Sequence, residues 1–227
     1  MKKSILSILL FSGILLSAKG QEARLNLYGG YVFDDNLDAY YETNQYVNGL
    51  VNGGFQYGGS IEFLTPEKVG IELMYIGHNT TFPISFNAGF SSGPRVAEND
   101  LNLNYALVGI NKYSDSDGKL EGYGGLLLGA LFSNAKNTSI SDSSGARYVG
   151  TTSSATRFSW GLKLGANIWV KPNIGIKVQT QFLSTTQGVG ESAYYGYYGT
   201  YYGYATYVNM FQWSFSSGLV FKLNSQK

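Results

Sequence analysis

The chain has 227 residues, of which 44% are hydrophobic, 15% are aromatic and only 14% are charged. Soluble domains usually carry about a quarter of charged residues. The formal net charge of +1 excludes a general polyanion-binding protein and therefore a nucleic-acid partner. The absence of cysteine excludes a disulfide scaffold, and the aromatic content excludes a disordered chain.

Residues 1–20 have the layout of a secretory signal peptide. Two lysines precede an apolar run from Ile5 to Leu16, and Ala18-Lys19-Gly20 places small residues where a signal peptidase reads them. An uncleaved membrane anchor is the alternative, but the run is shorter than the roughly 20 residues of a spanning helix. We predict a signal peptide over 1–20 and one exported domain over 21–227.

Beyond the signal, apolar residues alternate with polar or small ones, which is the pattern of β-strands with one apolar face. Eight stretches show this alternation: 24–33, 55–64, 69–78, 101–113, 120–132, 157–170, 174–183 and 209–223. Most have about the 9–11 residues that a tilted membrane-spanning strand requires. Short turns follow the even-numbered stretches and long polar loops follow the odd-numbered ones, as in an outer-membrane barrel.

The two faces of these stretches differ in charge. We assign the apolar positions to the outer face, including Leu101, Leu103, Tyr105 and Leu107 of the fourth stretch. Every strand charge then falls on the inner face, in the set Arg24, Glu62, Glu72, Lys112, Glu121, Arg157, Lys163, Lys177 and Lys222. Because Arg or Lys near the lipid midplane costs ~2–4 kcal/mol, this segregation is expected of lipid-facing strands.

The sequence therefore predicts an all-β fold, one eight-stranded antiparallel transmembrane β-barrel with short periplasmic turns and long extracellular loops. Over roughly 24–223 the chain resembles the small OmpA/OmpX-type outer-membrane barrels, and 105–113 and 161–166 are similar to strands of that family. The resemblance implies the outer membrane of a Gram-negative bacterium and contact with its lipid. We expect a monomer.

Six inner-face charges are predicted to form an ionic plug in the lumen: Arg24, Glu62, Glu72, Glu121, Lys163 and Lys177. Counting strands around the ring places Arg24 across from Glu121 and Glu72 across from Lys177. Glu62 and Glu72 face each other if the 65–68 turn closes symmetrically, so a cation is needed there. The alternative, in which these charges line a hydrated lumen, stays open.

No motif in the chain indicates catalysis, a cofactor or a metal. His78 is the only histidine, so a multi-histidine metal site is excluded, and we expect it to be a hydrogen-bonding residue at the barrel rim. Asp115-Ser-Asp117-Gly118 resembles the start of a calcium loop, but position twelve would be Leu126, so a turn is favoured.

The fourth long loop is rich in tyrosine and glycine. Its candidate recognition residues are Tyr194, Tyr195, Tyr197, Tyr198, Tyr201, Tyr202 and Tyr204. Tyrosine suits recognition surfaces because it offers amphipathic area at low entropic cost, so the loop is a candidate site for an extracellular ligand or glycan. The alternative is that the last two strands continue as a hairpin with tyrosines at headgroup level.

We therefore expect an integral outer-membrane protein with a structural or surface-interaction role. The runner-up is a narrow channel or carrier for small or apolar solutes, and a lipid-modifying enzyme comes third. An eight-stranded interior is just wide enough to be filled by side chains, which disfavours a general pore.

Overall fold

The structure is a computed structural model that describes residues 22–42, 45–88, 95–115, 119–141, 147–148, 152–189, 194–196, 199–201 and 206–223. The predicted signal peptide over 1–20 lies outside these residues. Within them, no helix has the length and apolar character needed to cross a membrane.

The described residues form fourteen strands, which we number in chain order. The first seven are β1 (Glu22–Val32), β2 (Asp35–Glu42), β3 (Gln45–Val51), β4 (Gly54–Leu64), β5 (Val69–Thr81), β6 (Ile84–Ala88) and β7 (Arg95–Tyr113). The remaining seven are β8 (Leu120–Ser141), β9 (Arg147–Tyr148), β10 (Thr152–Lys171), β11 (Ile174–Val189), β12 (Tyr194–Gly196), β13 (Gly199–Tyr201) and β14 (Thr206–Lys222).

Eight of these strands form a closed antiparallel barrel, in the order β1-β4-β5-β7-β8-β10-β11-β14 and back to β1. Closure satisfies the backbone groups that an open sheet would leave exposed to lipid. These eight strands coincide with the eight predicted stretches, so the fold prediction is confirmed. The wall strands β4 and β5, β7 and β8, and β10 and β11 are joined by short connections, as the sequence predicted.

The barrel is strongly staggered. Paired residues followed from Arg24 once around the eight strands arrive at Gln212 of β14, whereas Arg24 itself pairs with Lys222. The stagger is therefore ten residues along β14. With ordinary strand spacing and rise, a ring of eight strands with this stagger tilts its strands by about 40°.

Outward-facing side chains form the apolar belt that a membrane barrel needs. Phe55, Phe158, Leu164 and Val170 are among the most exposed, at 67%, 65%, 64% and 62%. Aromatic rings gather at the outer end of this belt, where Phe182 stacks on Phe211 with ring centroids 5.6 Å apart. Such a surface is stable only against lipid, because soluble monomers rarely expose so large an apolar patch.

One stretch is oriented opposite to its prediction. Leu103, Tyr105 and Leu107 of β7 are buried inside the barrel, and Val108 and Ile110 face outward with 48% and 58% exposure. The cause is the pairing with β5, which sets each outward residue of that strand against an even-numbered residue of β7. Directly paired residues of an antiparallel ladder lie on the same face.

The prediction that every strand charge faces inward is consequently wrong at one position. Lys112 lies on the outer face of β7 and is exposed. Its ammonium group donates to the main-chain carbonyl oxygen of Glu67 at 2.7 Å. The residue is at the periplasmic end of the strand, where a lysine reaches the interface instead of the lipid midplane.

The outer loops contain strands that the sequence did not predict. β2 and β3 form a hairpin in the first loop, and β3 pairs with β6 of the second loop. β6 in turn pairs with the outer end of β7, so both loops extend the barrel sheet. The hairpin is held to β14 where the main-chain N–H of Phe211 donates to a carboxylate oxygen of Asp35 at 2.7 Å.

Candidate functional site

The periplasmic half of the lumen contains the six charges that the sequence grouped together. Alternation along the strands points them inward from β1, β4, β5, β8, β10 and β11. Each is buried, with exposures of 1% for Arg24, 0% for Glu62, 0% for Glu72, 7% for Glu121, 1% for Lys163 and 0% for Lys177. We call this set the ionic layer. Its three cations balance its three anions.

Arg24 and Glu121 form the contact of the ionic layer that lies nearest the periplasmic end. The two terminal nitrogens of Arg24 donate to the two carboxylate oxygens of Glu121 at 2.7 Å and 3.1 Å, which is a bidentate pair. The guanidinium carbon also lies 4.7 Å from the ring centre of Tyr113 and 5.2 Å from that of Trp169. Geometry of this kind favours arginine over lysine, because only the planar guanidinium makes both kinds of contact.

Glu72 has a different partner from the one expected. Its carboxylate contacts the ammonium group of Lys163, and not that of Lys177. Ser60 donates its hydroxyl to the other carboxylate oxygen at 2.5 Å. Strand counting alone predicted Lys177, but the ten-residue stagger displaces strands along the barrel axis and brings Lys163 to the level of Glu72.

Glu62 and Glu72 are paired directly across the β4–β5 ladder, as predicted. The side-chain amide of Asn111 donates to both carboxylates, at 2.6 Å and 3.0 Å. The hydroxyl of Tyr113 donates to the second oxygen of Glu62 at 2.6 Å. The like charges are therefore separated by a shared donor. Sequence reasoning missed Asn111, because the orientation assigned to β7 had placed it on the outer face.

Lys177 lies in the lumen without a carboxylate in direct contact among the described residues. Its ammonium nitrogen is 3.4 Å from the amide oxygen of Asn26 and 4.4 Å from the ring centre of Tyr123. Lys163 lies 5.7 Å from the same ring. The face of Tyr123 thus stabilises both ammonium groups, a cation–π contact that gains strength away from water.

The outer half of the lumen contains a buried cluster of mainly apolar side chains. The buried cluster consists of Tyr28, Val51, Met74, Ile76, Leu103, Tyr105, Leu107, Leu127, Leu131, Leu183 and Met210, with Phe82 and Leu101 packed against it. We call it the apolar plug. Val51 and Phe82 come from the loops, so the outer connections take part in closing the mouth. The corrected orientation of β7 is what brings three of its residues into this cluster.

His78 does not have the environment that was expected. It is 1% exposed, and neither ring nitrogen has a hydrogen-bond partner among the described residues. His78 is therefore buried, whereas an exposed position at the barrel rim was expected. Within the described residues there is also no group of three or more side chains suited to holding a metal ion.

The tyrosine-rich loop is described only in part. β11 and β14 remain paired up to Val189 and Thr206, well beyond the predicted strand ends at 183 and 209. Tyr194, Tyr195 and Tyr201 lie in the small β12–β13 hairpin. Tyr197, Tyr198, Tyr202 and Tyr204 lie outside the described residues.

No protein-family model and no curated protein matches the sequence. Solved structures do match in fold. OprG from Pseudomonas aeruginosa has a TM-score of 0.54 at 11% identity, covering 90% of this chain and 98% of that one. Neisserial surface protein A has a TM-score of 0.51 at 14% identity, covering 90% and 100%. The outer-membrane protein AlkL, solved in lipid bilayers, has a TM-score of 0.51 at 12% identity, covering 91% and 93%.

Closed topology, an exposed apolar belt and these likenesses define the class: an eight-stranded outer-membrane β-barrel in contact with lipid. Within that class the chain is similar in fold to OprG, Neisserial surface protein A and AlkL.

Proposed function

We propose that the chain is a closed outer-membrane barrel whose role is structural or lies in surface interaction, and which does not conduct. The observation that carries this proposal is the filling of the lumen by two different layers in series. The ionic layer occupies the periplasmic half and the apolar plug occupies the outer half.

Each layer opposes ion flow by a separate mechanism. In the ionic layer, Arg24–Glu121 and Lys163–Glu72 are paired inside the lumen, so a passing ion would have to displace these side chains. In the apolar plug, leucines and methionines offer an ion no ligand, and desolvation is costly there. An ion would have to overcome both.

Conductance in planar bilayers tests this closure. The parent barrel is expected to show no steady open level. The double variant Glu72→Ala/Lys163→Ala removes one ion pair of the ionic layer and should remain closed, because the Arg24–Glu121 pair and the apolar plug are intact. Adding Leu103→Ser and Leu131→Ser should produce openings. A steady conductance in the parent protein would overturn the proposal.

A specific observation favours a second candidate, a narrow channel. Several polar atoms on the β11 and β14 wall have no hydrogen-bond partner among the described residues, including both amide atoms of Gln181, the amide nitrogen of Gln212 and the hydroxyl of Ser214. Buried polar groups of this kind usually bind water. The conductance measurement distinguishes this candidate from the first.

We place the surface interaction at the tyrosine-rich loop, whose candidate residues are Tyr194, Tyr195, Tyr197, Tyr198, Tyr201, Tyr202 and Tyr204. Support comes from the β11–β14 ladder, which continues to Val189 and Thr206, beyond the predicted strand ends. A glycan array with refolded protein tests the role. Binding that is lost when the seven tyrosines are changed to serine, while the barrel stays folded, is the expected result. Unchanged binding would assign recognition to another loop.

A further inference from the structure

A groove of about 520 Å³ lies on the lipid-facing wall across β1, β4, β5 and β7. Two adjacent rungs of the sheet form it. The upper rung is Leu27, Gly59, Tyr75 and Ala106, and the lower rung is Leu25, Ile61, Leu73 and Val108. Its lining is almost wholly apolar.

The groove exists because the upper rung has two small residues, Gly59 between Leu27 and Tyr75, and Ala106 on the other side of Tyr75. Gly59 and Ala106 form the floor, and Leu27 and Tyr75 stand on either side of Gly59, with 51% and 46% of their surface exposed. A recess of this shape lets a hydrocarbon chain contact the wall on several sides. Inside a bilayer the hydrophobic effect does not favour contact of a lipid tail with protein over contact with other tails. Binding of a tail therefore depends on dispersion contacts such as these.

Polar side chains continue upward from the top of this groove. The hydroxyl of Tyr75 donates to the amide oxygen of Asn104 at 2.6 Å. The amide of Asn104 donates to Asn102, and that of Asn102 donates to Asn79. We call Asn79, Asn102 and Asn104 the amide ladder. All three lie on the outer face of β5 and β7 and are exposed or half-buried.

The position of the amide ladder fixes its surroundings. Each amide of the ladder has more donors and acceptors than these hydrogen bonds use. Unpaired ones are costly in hydrocarbon, so this part of the wall lies at the level of lipid headgroups. On the neighbouring strand β8, Phe132 is paired with Asn104, and aromatic side chains are typical of the membrane interface. The groove below therefore meets acyl chains, and the ladder above meets the head of the same lipid.

The chemistry of the amide ladder indicates which lipid headgroup it would bind. Amides both donate and accept, as sugar hydroxyls do, and the ladder itself carries no charge. Asp100 and Lys136, in the next outward rung, are paired with each other and have opposite charges. Tyr57 and Tyr75 add exposed aromatic rings, 44% and 46% accessible, of the kind that pack against sugar rings.

We propose that this wall binds one membrane glycolipid, with an acyl chain in the groove and a hydroxyl-rich sugar head on the amide ladder. The site is on the outer surface of the barrel and is independent of the lumen and of the tyrosine-rich loop. Tyr75 belongs to both parts of the site, because its ring lines the groove and its hydroxyl donates to Asn104 of the amide ladder.

Native mass spectrometry of the refolded full chain tests the site. The protein is released from bilayers that contain a glucosyl diacylglycerol and a phosphatidylcholine with the same acyl chains, and the retained lipids are counted. The parent barrel should retain the sugar-headed lipid in preference to the choline lipid. Ala106→Leu fills the floor of the groove and should lower retention by about tenfold, equivalent to 1.4 kcal/mol.

Two variants keep the result interpretable. Ala130 pairs directly with Ala106 and also faces outward, but it does not line the groove, so Ala130→Leu should leave retention unchanged. Asn104→Leu interrupts the ladder and should abolish the preference for the sugar head while a lipid is still retained. Folding of every variant is checked by its heat-dependent mobility on gels.

The proposal fails if the parent protein retains both lipids equally. It also fails if Ala106→Leu and Ala130→Leu have the same effect, because the loss would then come from the barrel wall in general.

Discussion

The two halves of the lumen solve the same problem with opposite chemistry. The periplasmic half holds six buried charges, four of which form the pairs Arg24–Glu121 and Lys163–Glu72, and the outer half holds a cluster of mainly apolar side chains. Both are almost completely buried. The difference shows how a narrow barrel uses its interior: the ionic layer depends on particular partners, whereas the apolar plug depends on volume.

This difference has energetic consequences. Removing one member of a buried ion pair leaves an uncompensated charge, whereas replacing both members by apolar groups of similar volume is often neutral or stabilising. Removing an apolar side chain leaves a cavity whose cost depends on how far its neighbours relax. Mutations within an ion pair of the ionic layer should therefore be strongly coupled. In the apolar plug, the losses in the free energy of unfolding from mutations at distant sites should be nearly additive.

The largest effect is expected at Glu72 and Lys163. Glu72→Ala should lower the free energy of unfolding by ~3–5 kcal/mol, because it leaves the ammonium group of Lys163 buried without its carboxylate. Lys163→Ala should cost a similar amount, and the double variant should cost clearly less than the sum. Equilibrium unfolding of the refolded barrel in urea gives all three values.

The matched replacement Glu72→Leu/Lys163→Met sharpens the comparison. If the ionic layer serves to fix side-chain positions more than to stabilise, this apolar pair should unfold at a urea concentration no lower than the parent. Additive losses in the Glu72/Lys163 cycle would show that the two side chains are not coupled, contrary to the structure.

The second effect is expected in the apolar plug. Leu103→Ala should cost ~2–5 kcal/mol, since the side chain is fully buried at 0% exposure and its removal opens a cavity. Leu103→Met keeps the volume and should cost less than about 1.5 kcal/mol. The same unfolding measurement applies, and equal losses for the two variants would mean that volume is not what this half requires.

Leu103 also shows where sequence reasoning reached its limit. Seven of the eight stretches have one face that is clearly more apolar, so their orientation could be read directly from alternation. In 101–113 both faces are apolar, since Leu103 and Leu107 lie on one face and Val108 and Ile110 lie on the other. Only the register with β5 decides between them, and that register is a property of the pairing and not of the stretch alone.

The candidate site was predictable to a similar degree. The six charges of the ionic layer share a face because of their spacing, and Arg24 meets Glu121 as strand counting suggested. The partner of Glu72 depended on the stagger of the ring, which no single strand records. The loop strands β2, β3 and β6 were missed because they depend on pairing between loops: β3 of the first loop pairs with β6 of the second, and only β6 pairs with a barrel strand, β7.

A smaller effect is expected from Arg24→Lys. The variant keeps the positive charge but loses one of the two hydrogen bonds to Glu121 and the planar contact with Tyr113. Because a hydrogen bond to a charged group contributes about 1.5–3 kcal/mol, we expect a loss of about 2 kcal/mol in the free energy of unfolding. Arg24→Met should cost more, since it also removes the charge. Equal stability of the parent and the lysine variant would show that charge alone determines this contact.

The smallest effect is expected for an ion pair outside the barrel lumen. Lys68 and Asp115 pair at 2.5 Å on the periplasmic turns, and the Asp115 side chain is 93% exposed. The hydrogen bond from Lys68 holds the pKa of the Asp115 carboxyl below its usual 3.8. The contribution of this pair is therefore present above the ordinary pKa and is lost as the pH falls through the lowered value.

Water and salt screen so exposed a pair, so Asp115→Asn should not change the urea midpoint at neutral pH beyond experimental scatter. The parent and Asp115→Asn should differ only in the pH dependence of unfolding in acid, and that difference should shrink in high salt. A loss at neutral pH as large as that of Arg24→Lys would mean that burial is not what distinguishes the ionic layer from an ordinary surface pair.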